Sequence, residues 1–110
     1  MGDKMADLVA RRFRALGEPY RLRILQELET GEKSVGQLVE QLEGNQPNVS
    51  KHLQRLHDAG LVNRRRIGTS IVYSISDPMI FSLCELVCRS ETDNSRRNLE
   101  ALQIPFAGDL

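Results

Sequence analysis

Hydrophobic residues in the first part of the chain recur at helical spacing. Apolar side chains three and four positions apart share one face over residues 5–16, 19–30 and 35–42, which predicts three amphipathic helices. Pro19 suits the first turn of the second helix, and Ser34 is a suitable N-cap for the third. We therefore expect a helical core in this part of the chain.

The next periodic segment, residues 45–56, predicts a fourth helix with two unlike faces. Val49, Leu53 and Leu56 form its apolar side, and Asn45 is a suitable N-cap after a short glycine-containing turn. A helix, a tight turn and a polar-faced helix form the helix-turn-helix arrangement. The polar face can donate hydrogen bonds to a DNA major groove, although a solvated amphipathic helix has the same pattern. Its residues are Gln46, Asn48, Ser50, Lys51, His52 and Arg55.

Two segments rich in β-branched residues follow this helix. Residues 61–66 and 70–75 predict two strands, which the short glycine turn between them joins into a hairpin. A hairpin directly after a recognition helix is the wing of a winged helix, and cations on it would meet a DNA backbone. The alternative is an ordinary hairpin with solvated arginines. The residues in question are Arg64, Arg65, Arg66 and Thr69.

A fifth helix is predicted after the hairpin. Asp77 and Pro78 have the character of an N-cap and a first helical residue, and the periodic pattern runs at least to Arg89. A further turn is expected at residues 98–102 and an irregular segment at 104–108. The apolar face of the fifth helix contains Ile80, Leu83, Cys84, Val87 and Cys88.

The predicted fold is mainly α with a β-hairpin wing, in the order α-α-α-α-β-β-α, as one winged-helix domain of residues 1–110. Fifteen basic and fifteen acidic residues give a formal net charge of zero, so bulk charge does not argue for nucleic acid. The distribution of charge does, because a neutral protein with one basic face can still bind phosphates. Between residues 46 and 74 the only acid is Asp58, whereas the cations are Lys51, Arg55, Arg64, Arg65 and Arg66.

The sequence lacks the apolar segments of exported or membrane proteins and the motifs of common enzymes. Residues 1–8 contain no apolar run, and no segment approaches the roughly 18 apolar residues of a membrane span, so we expect a cytoplasmic protein. In that compartment the two cysteines should be reduced thiols. The sequence has no glycine-rich phosphate loop, metal-ligand cluster or nucleophile–base pair, so we expect neither an enzyme nor a required cofactor.

Several segments carry a family resemblance. Residues 15–25 (ALGEPYRLRIL), residues 46–56 (QPNVSKHLQRL) and residues 59–62 (AGLV) resemble, in order and spacing, the ArsR/SmtB-type winged helix-turn-helix transcriptional repressors. The likeness extends over about residues 13–77, and Asn45 departs from the usual serine without losing the cap. It implies a homodimer that binds double-stranded DNA at an imperfect palindromic operator.

The resemblance also implies which parts of the chain form the interfaces. The dimer would form through helices at about residues 5–16 and 78–90. Gln46 and Asn48 suit adenine edges, and Val49 suits a thymine methyl group. The remaining expected DNA contacts, mainly to phosphates, are Ser34, Ser50, Lys51, His52, Arg55, Arg64, Arg65, Arg66 and Thr69.

The inducer is open at this stage. The cysteine motif of arsenic-type members and the ligand set of zinc-type members are both missing, which leaves Cys84 and Cys88. Four positions apart on one helix, they suit a thiophilic ion such as As(III), Cd(II) or Hg(II). They also suit a redox or sulfide response, or plain packing of the dimer helix. Our hypothesis is a repressor released from its operator by a thiol-reactive inducer, and the alternative is an interaction module without DNA binding.

Overall fold

The computed structural model describes residues 1–101, except for the side chains of residues 99 and 100. It confirms the mainly helical fold with a β-hairpin. Within these residues the chain divides after Asp77 into a first unit, residues 1–77, and a second that contains the last helix. The helices are α1 Asp3–Leu16, α2 Pro19–Leu28, α3 Val35–Leu42, α4 Gln46–Asp58 and α5 Met79–Ala101. The strands are β1 Lys33–Ser34, β2 Val62–Ile67 and β3 Ser70–Ile75.

Some predicted boundaries change. The first strand of the hairpin begins one residue later than predicted, and α5 continues through residues 92–94 and most of the predicted turn at 98–102. Residue 102 and the predicted irregular segment at 104–108 lie outside the described residues. The single domain of residues 1–110 stays a prediction.

The sheet contains one strand that the hydrophobic pattern does not predict. Its order is β1-β3-β2, and both pairings are antiparallel. The hairpin runs in register from Val62 opposite Ile75 to Ile67 opposite Ser70. Strand β1 pairs Ser34 with Val72 and is only two residues long, too short for a readable alternation. It joins the residue that caps α3 to the wing.

The core of the first unit is formed by the apolar faces that the periodicity predicts. These side chains interdigitate between α2, α3, α4 and the base of the hairpin. Their burial fixes the rotation of α4 about its own axis, since a helix with one apolar stripe is most stable with that stripe inside. The most buried members are Ile24, Leu25, Leu28, Leu38, Val49, Leu53, Leu56, Leu61 and Val62.

Two residues that we assigned to the DNA-binding face of α4 lie in this core. Val49 has no exposed surface, so it cannot touch a thymine methyl, and that prediction is wrong. His52 is only 9% exposed, so its assignment to the outer face is also wrong. The reason is helical spacing. His52 lies three residues after Val49 and four before Leu56, so it extends their stripe.

His52 is surrounded by polar and aromatic groups of α2. Its ring centroid is 5.2 Å from that of Tyr20. Arg21 Nη1 lies 3.4 Å from His52 Nδ1, and Glu18 Oε2 lies 3.8 Å from the same nitrogen. Because a guanidinium only donates hydrogen bonds, this contact suits the neutral imidazole with its proton on Nε2.

The pKa of His52 is lowered from its ordinary value. Burial is the main cause, because it disfavours the imidazolium. The positive charges of Arg21, Lys51 and Arg55 lower the pKa further, whereas the carboxylate of Glu18 opposes them. The neutral ring is therefore the form that the folded protein favours.

The turn between α3 and α4 also packs against α2. A Cβ atom at Gly44 would lie 2.1 Å from Tyr20 Oη and 3.3 Å from Val49 Cγ2. The left-handed backbone of this turn is at Glu43, with φ of 50°, so Gly44 is needed for close approach rather than for its backbone angles. The Tyr20 hydroxyl is buried without a hydrogen-bond partner among the described residues. The turn therefore depends on shape complementarity.

We predict that Gly44→Ala destabilises the protein by about 1–3 kcal/mol, because the new methyl group overpacks a rigid contact. Tyr20→Phe should relieve most of the loss, since it removes the oxygen nearest to that methyl. Urea unfolding of the two single variants and the double variant measures this coupling. Gly36→Ala is the matched control, because its Cβ would meet nothing closer than 3.9 Å. An equal loss with and without the Tyr20 hydroxyl would contradict this account.

We also predict that folding stability falls as the pH drops below about 6.5, the ordinary pKa of histidine. With its folded pKa lowered, His52 stays neutral in the folded protein while the unfolded chain takes up a proton, so acid favours unfolding. Urea unfolding between about pH 7.5 and 5.5 measures the slope and avoids carboxylate titration. His52→Gln should flatten the slope, and His57→Gln is the control on the same helix. Identical slopes for the wild type and His52→Gln would refute the assignment.

Candidate nucleic-acid interface

Both helices of the helix-turn-helix have the N-caps that the sequence predicts. Ser34 Oγ accepts a hydrogen bond from the Gln37 amide at 3.2 Å, and Gln37 Oε1 accepts one from the Ser34 amide at 2.8 Å. This reciprocal pair is a capping box. Asn45 Oδ1 accepts from the Asn48 amide at 2.9 Å. Both helices therefore start at defined residues, and the hydroxyl proton of Ser34 is still available to a ligand.

The outer face of α4 presents a row of polar side chains. Gln46, Lys51 and Arg55 are exposed, whereas Asn48 and Ser50 are half-buried. Gln54 is exposed as well, and the sequence-based assignment omitted it. Its position three residues after Lys51 and four after Ser50 was the signal that places it on this face.

One hydrogen bond joins α4 to the wing. Arg64 Nη1 donates to Gln54 Oε1 at 2.9 Å, and Gln54 Nε2 donates to Asp58 Oδ1 at 2.8 Å. Because side chains alternate along a strand, Arg66 lies on the same face of the hairpin as Arg64, and Arg65 on the other. The polar face of α4 and one face of the wing thus form a continuous surface, which we call the α4–wing surface: Gln46, Asn48, Ser50, Lys51, Gln54, Arg64 and Arg66.

Arg65 differs from Arg64 because its partner is a carboxylate and not an amide. Its Nε and Nη2 donate to the two carboxylate oxygens of Glu32, at 3.0 and 2.5 Å. The hydrogen bond from Arg65 lowers the pKa of Glu32, and the carboxylate raises the pKa of Arg65. Glu32 is 33 positions from Arg65 in the sequence, and folding brings its carboxylate to the Arg65 side chain. The three arginines of the wing therefore do not share one environment.

The other predicted contacts lie at the margins of the α4–wing surface. Thr69 is exposed in the turn of the hairpin, after Gly68, whose φ of 63° suits glycine. Arg55 lies toward the C-terminal end of α4, at a cleft that α1 also lines. Both residues are exposed.

The two cysteines lie one turn apart on α5. Both are free thiols; Cys84 is half-buried and Cys88 is exposed. Burial raises the pKa of the Cys84 thiol, so less of it is thiolate near neutral pH. Within the described residues, no group of three or more His, Cys, Asp or Glu side chains is arranged to hold a metal ion. No helix in that part of the chain is long and apolar enough to cross a membrane.

Comparison with known proteins supports the family resemblance. Residues 18–64 match the family model described as bacterial regulatory protein, arsR family. A Streptomyces lividans protein named "Probable mercury resistance operon repressor" is 39% identical over 103 residues, which are 94% of this chain and 82% of that protein.

Solved structures agree with the sequence relatives. Mycobacterium tuberculosis Rv0081 superposes with a TM-score of 0.79 at 30% identity, over 89% of this chain and 99% of that chain. A homodimeric winged helix-turn-helix DNA-binding domain from Mycobacterium bovis, described as a possible ArsR-family transcriptional regulator, gives a TM-score of 0.76 at 33% identity. That match covers 88% of this chain and 93% of the other. The chain therefore belongs to the ArsR family of winged helix-turn-helix transcriptional repressors, whose members are DNA-binding regulators and not enzymes.

Proposed function

We propose that two copies of this chain bind an imperfect palindromic operator through their α4–wing surfaces. The observation that carries the proposal is the hydrogen bond from Arg64 to Gln54, which holds the wing against the recognition helix. A helix that presents amides and cations fits the major groove, and a basic hairpin beside it reaches the adjacent backbone. Double-stranded DNA is thus the partner that this surface suits.

Roles within the surface follow from side-chain chemistry. Gln46 and Asn48, in the first turn of α4, offer the paired donor and acceptor that read adenine. Lys51, Arg64 and Arg66 are the cations we assign to phosphates. Weaker or conditional phosphate contacts are assigned to Ser34, Ser50, Arg55, Arg65 and Thr69, since Arg65 must first exchange its bond to Glu32.

The homodimer is supported by apolar surface on the two terminal helices. On α1, Met5, Leu8 and Phe13 are more than half exposed, and on α5, Leu86 and Val87 are 63% and 60% exposed. Exposed apolar surface that forms a contiguous patch marks protein–protein interaction sites. Two-fold pairing through α1 and α5 would set the two recognition helices about 34–36 Å apart, one turn of DNA.

For the inducer, we propose a thiophilic ion held by Cys84 and Cys88, with Hg(II) as the best fit. Hg(II) is satisfied by two thiolates in a linear arrangement, whereas As(III) and Cd(II) seek three or four ligands. The described residues of one chain contain no group of three or more such ligands. The relative named as a mercury resistance operon repressor supports the same choice. Binding releases two thiol protons and forms two S–Hg bonds, so affinity should rise with pH.

Lys51→Ala and Arg64→Ala should each weaken binding to DNA from upstream of the gene. Each should also reduce the slope of log K against log [salt] by about 1, because one phosphate contact is lost. Fluorescence anisotropy at several salt concentrations measures both quantities. Arg23→Ala, which removes an exposed cation from α2, is the matched control and should leave the slope unchanged. Unaltered slopes in all three variants would contradict the phosphate assignments, and no measurable binding of this DNA by the wild type would favour an interaction module without DNA binding.

Hg(II) added at one equivalent per protomer should release the protein from that DNA. Thiol titration should fall from two per chain to none, since both cysteines are used. Cys84→Ser and Cys88→Ser should each abolish the release while keeping DNA binding, and Ser82→Ala on the same helix should keep both. If Hg(II) consumes the thiols without changing DNA affinity, the inducer proposal fails.

A further inference from the structure

Beside the α4–wing surface, the first unit contains a strongly basic cleft. The cleft has a volume of about 270 Å³ and lies where α1, α2 and the C-terminal half of α4 meet. Four of its lining residues are arginines, Arg11, Arg14, Arg21 and Arg55, and only one is an acid, Asp58. We call it the arginine cleft.

One of these arginines is fixed by the backbone. Arg21 Nε donates to the Ala15 carbonyl at 2.7 Å, and its Nη2 donates to the Arg14 carbonyl at 3.2 Å. Its third contact is with His52 Nδ1. These bonds hold the guanidinium in place, and because carbonyl groups carry no net charge, its charge is offset only in part, by the Glu18 carboxylate, whose pKa Arg21 helps to lower. Arg21 is thus a preorganised cation at the cleft.

The other three guanidiniums are exposed. Among the residues that the structure describes, none of the four arginines lies within ion-pair distance of a carboxylate. The one acid of the cleft, Asp58, accepts instead from Gln54. Four like charges around one concavity repel each other, and an anion that enters removes that repulsion and gains charge-assisted hydrogen bonds.

From this arrangement we propose that the arginine cleft binds a small phosphate-bearing anion with two or more negative charges. Planar guanidiniums match the geometry of phosphate oxygens in a way that single ammonium groups do not. The volume is several times the roughly 30 Å³ that one water occupies, so a diphosphate group fits. An occupant would link α1 to Arg55 on the recognition helix. This binding site is separate from Cys84 and Cys88 and requires neither the operator nor Hg(II).

The probe for this proposal is inorganic pyrophosphate, titrated by calorimetry at constant ionic strength so that general screening does not change. We expect saturable binding, one per protomer, and a higher melting temperature, since the ligand binds only the folded chain. The double variant Arg11→Gln/Arg14→Gln should weaken binding by about tenfold or more, as expected for two lost charge-assisted bonds. It keeps Arg21, whose backbone contacts support the fold.

Two control variants locate the binding site. Arg23→Gln removes an exposed arginine outside the cleft, and Arg64→Gln removes a wing arginine; both should bind pyrophosphate as the wild type does. No binding by the wild type would overturn the proposal. An equal loss in all variants would also overturn it, because the probe would then report only general charge.

DNA binding by the double variant distinguishes a free phosphate compound from the DNA backbone as the source of the anion. We expect Arg11→Gln/Arg14→Gln to keep its operator affinity and salt slope while losing pyrophosphate. If the double variant loses operator affinity and pyrophosphate competes with DNA, the cleft serves the DNA backbone and the proposal fails. Operator binding and pyrophosphate binding are titrated separately. A wild type that does not bind pyrophosphate therefore leaves the proposed repressor function untouched, and a wild type that does not bind the operator leaves the proposed anion site untouched.

Discussion

Burial of one stripe of α4 against α2, α3 and the base of the hairpin is the constraint on which the rest of this protein depends. Val49, His52, Leu53 and Leu56 form that stripe, and their burial sets the direction in which every other side chain of the helix points. The polar face of α4 is exposed because the opposite, apolar face is buried in the core. Gly44 permits this packing, since a Cβ atom at its position would lie 2.1 Å from Tyr20 Oη. The packing of α4 thus determines which of its side chains are exposed.

The wing is positioned by contacts on both of its faces. On one face Arg64 donates to Gln54 of α4, and on the other Arg65 binds Glu32. The short strand β1 adds a third connection, because Ser34 both caps α3 and pairs with Val72. Helix α3, helix α4 and the hairpin therefore form one framework. Such preorganisation lowers the ordering cost of binding a rigid duplex.

Much of this fold could be predicted from local pattern. The helices follow from apolar spacing, and the caps at Ser34 and Asn45 follow from side-chain chemistry. Prediction from the sequence was incomplete where a contact between distant parts of the chain determines the environment of a side chain. His52 has a polar side chain but lies on the buried stripe, where its ring contacts Tyr20 and Arg21. The bond between Glu32 and Arg65 joins residues 33 positions apart, which no local period reveals. Local spacing places Gln54 on the polar face of α4, but its hydrogen bond to Arg64 of the wing depends on the fold.

The central claim is that α4 and the wing act as one DNA-binding surface, and backbone amide NMR of the full chain tests it most directly. On titration with an operator duplex, we predict the largest shift changes at residues 46–51 and 64–69, moving together along a single binding isotherm. We predict the same isotherm for the Gln54 side-chain amide. Shift changes confined to α5, or different isotherms for helix and wing, would contradict the account.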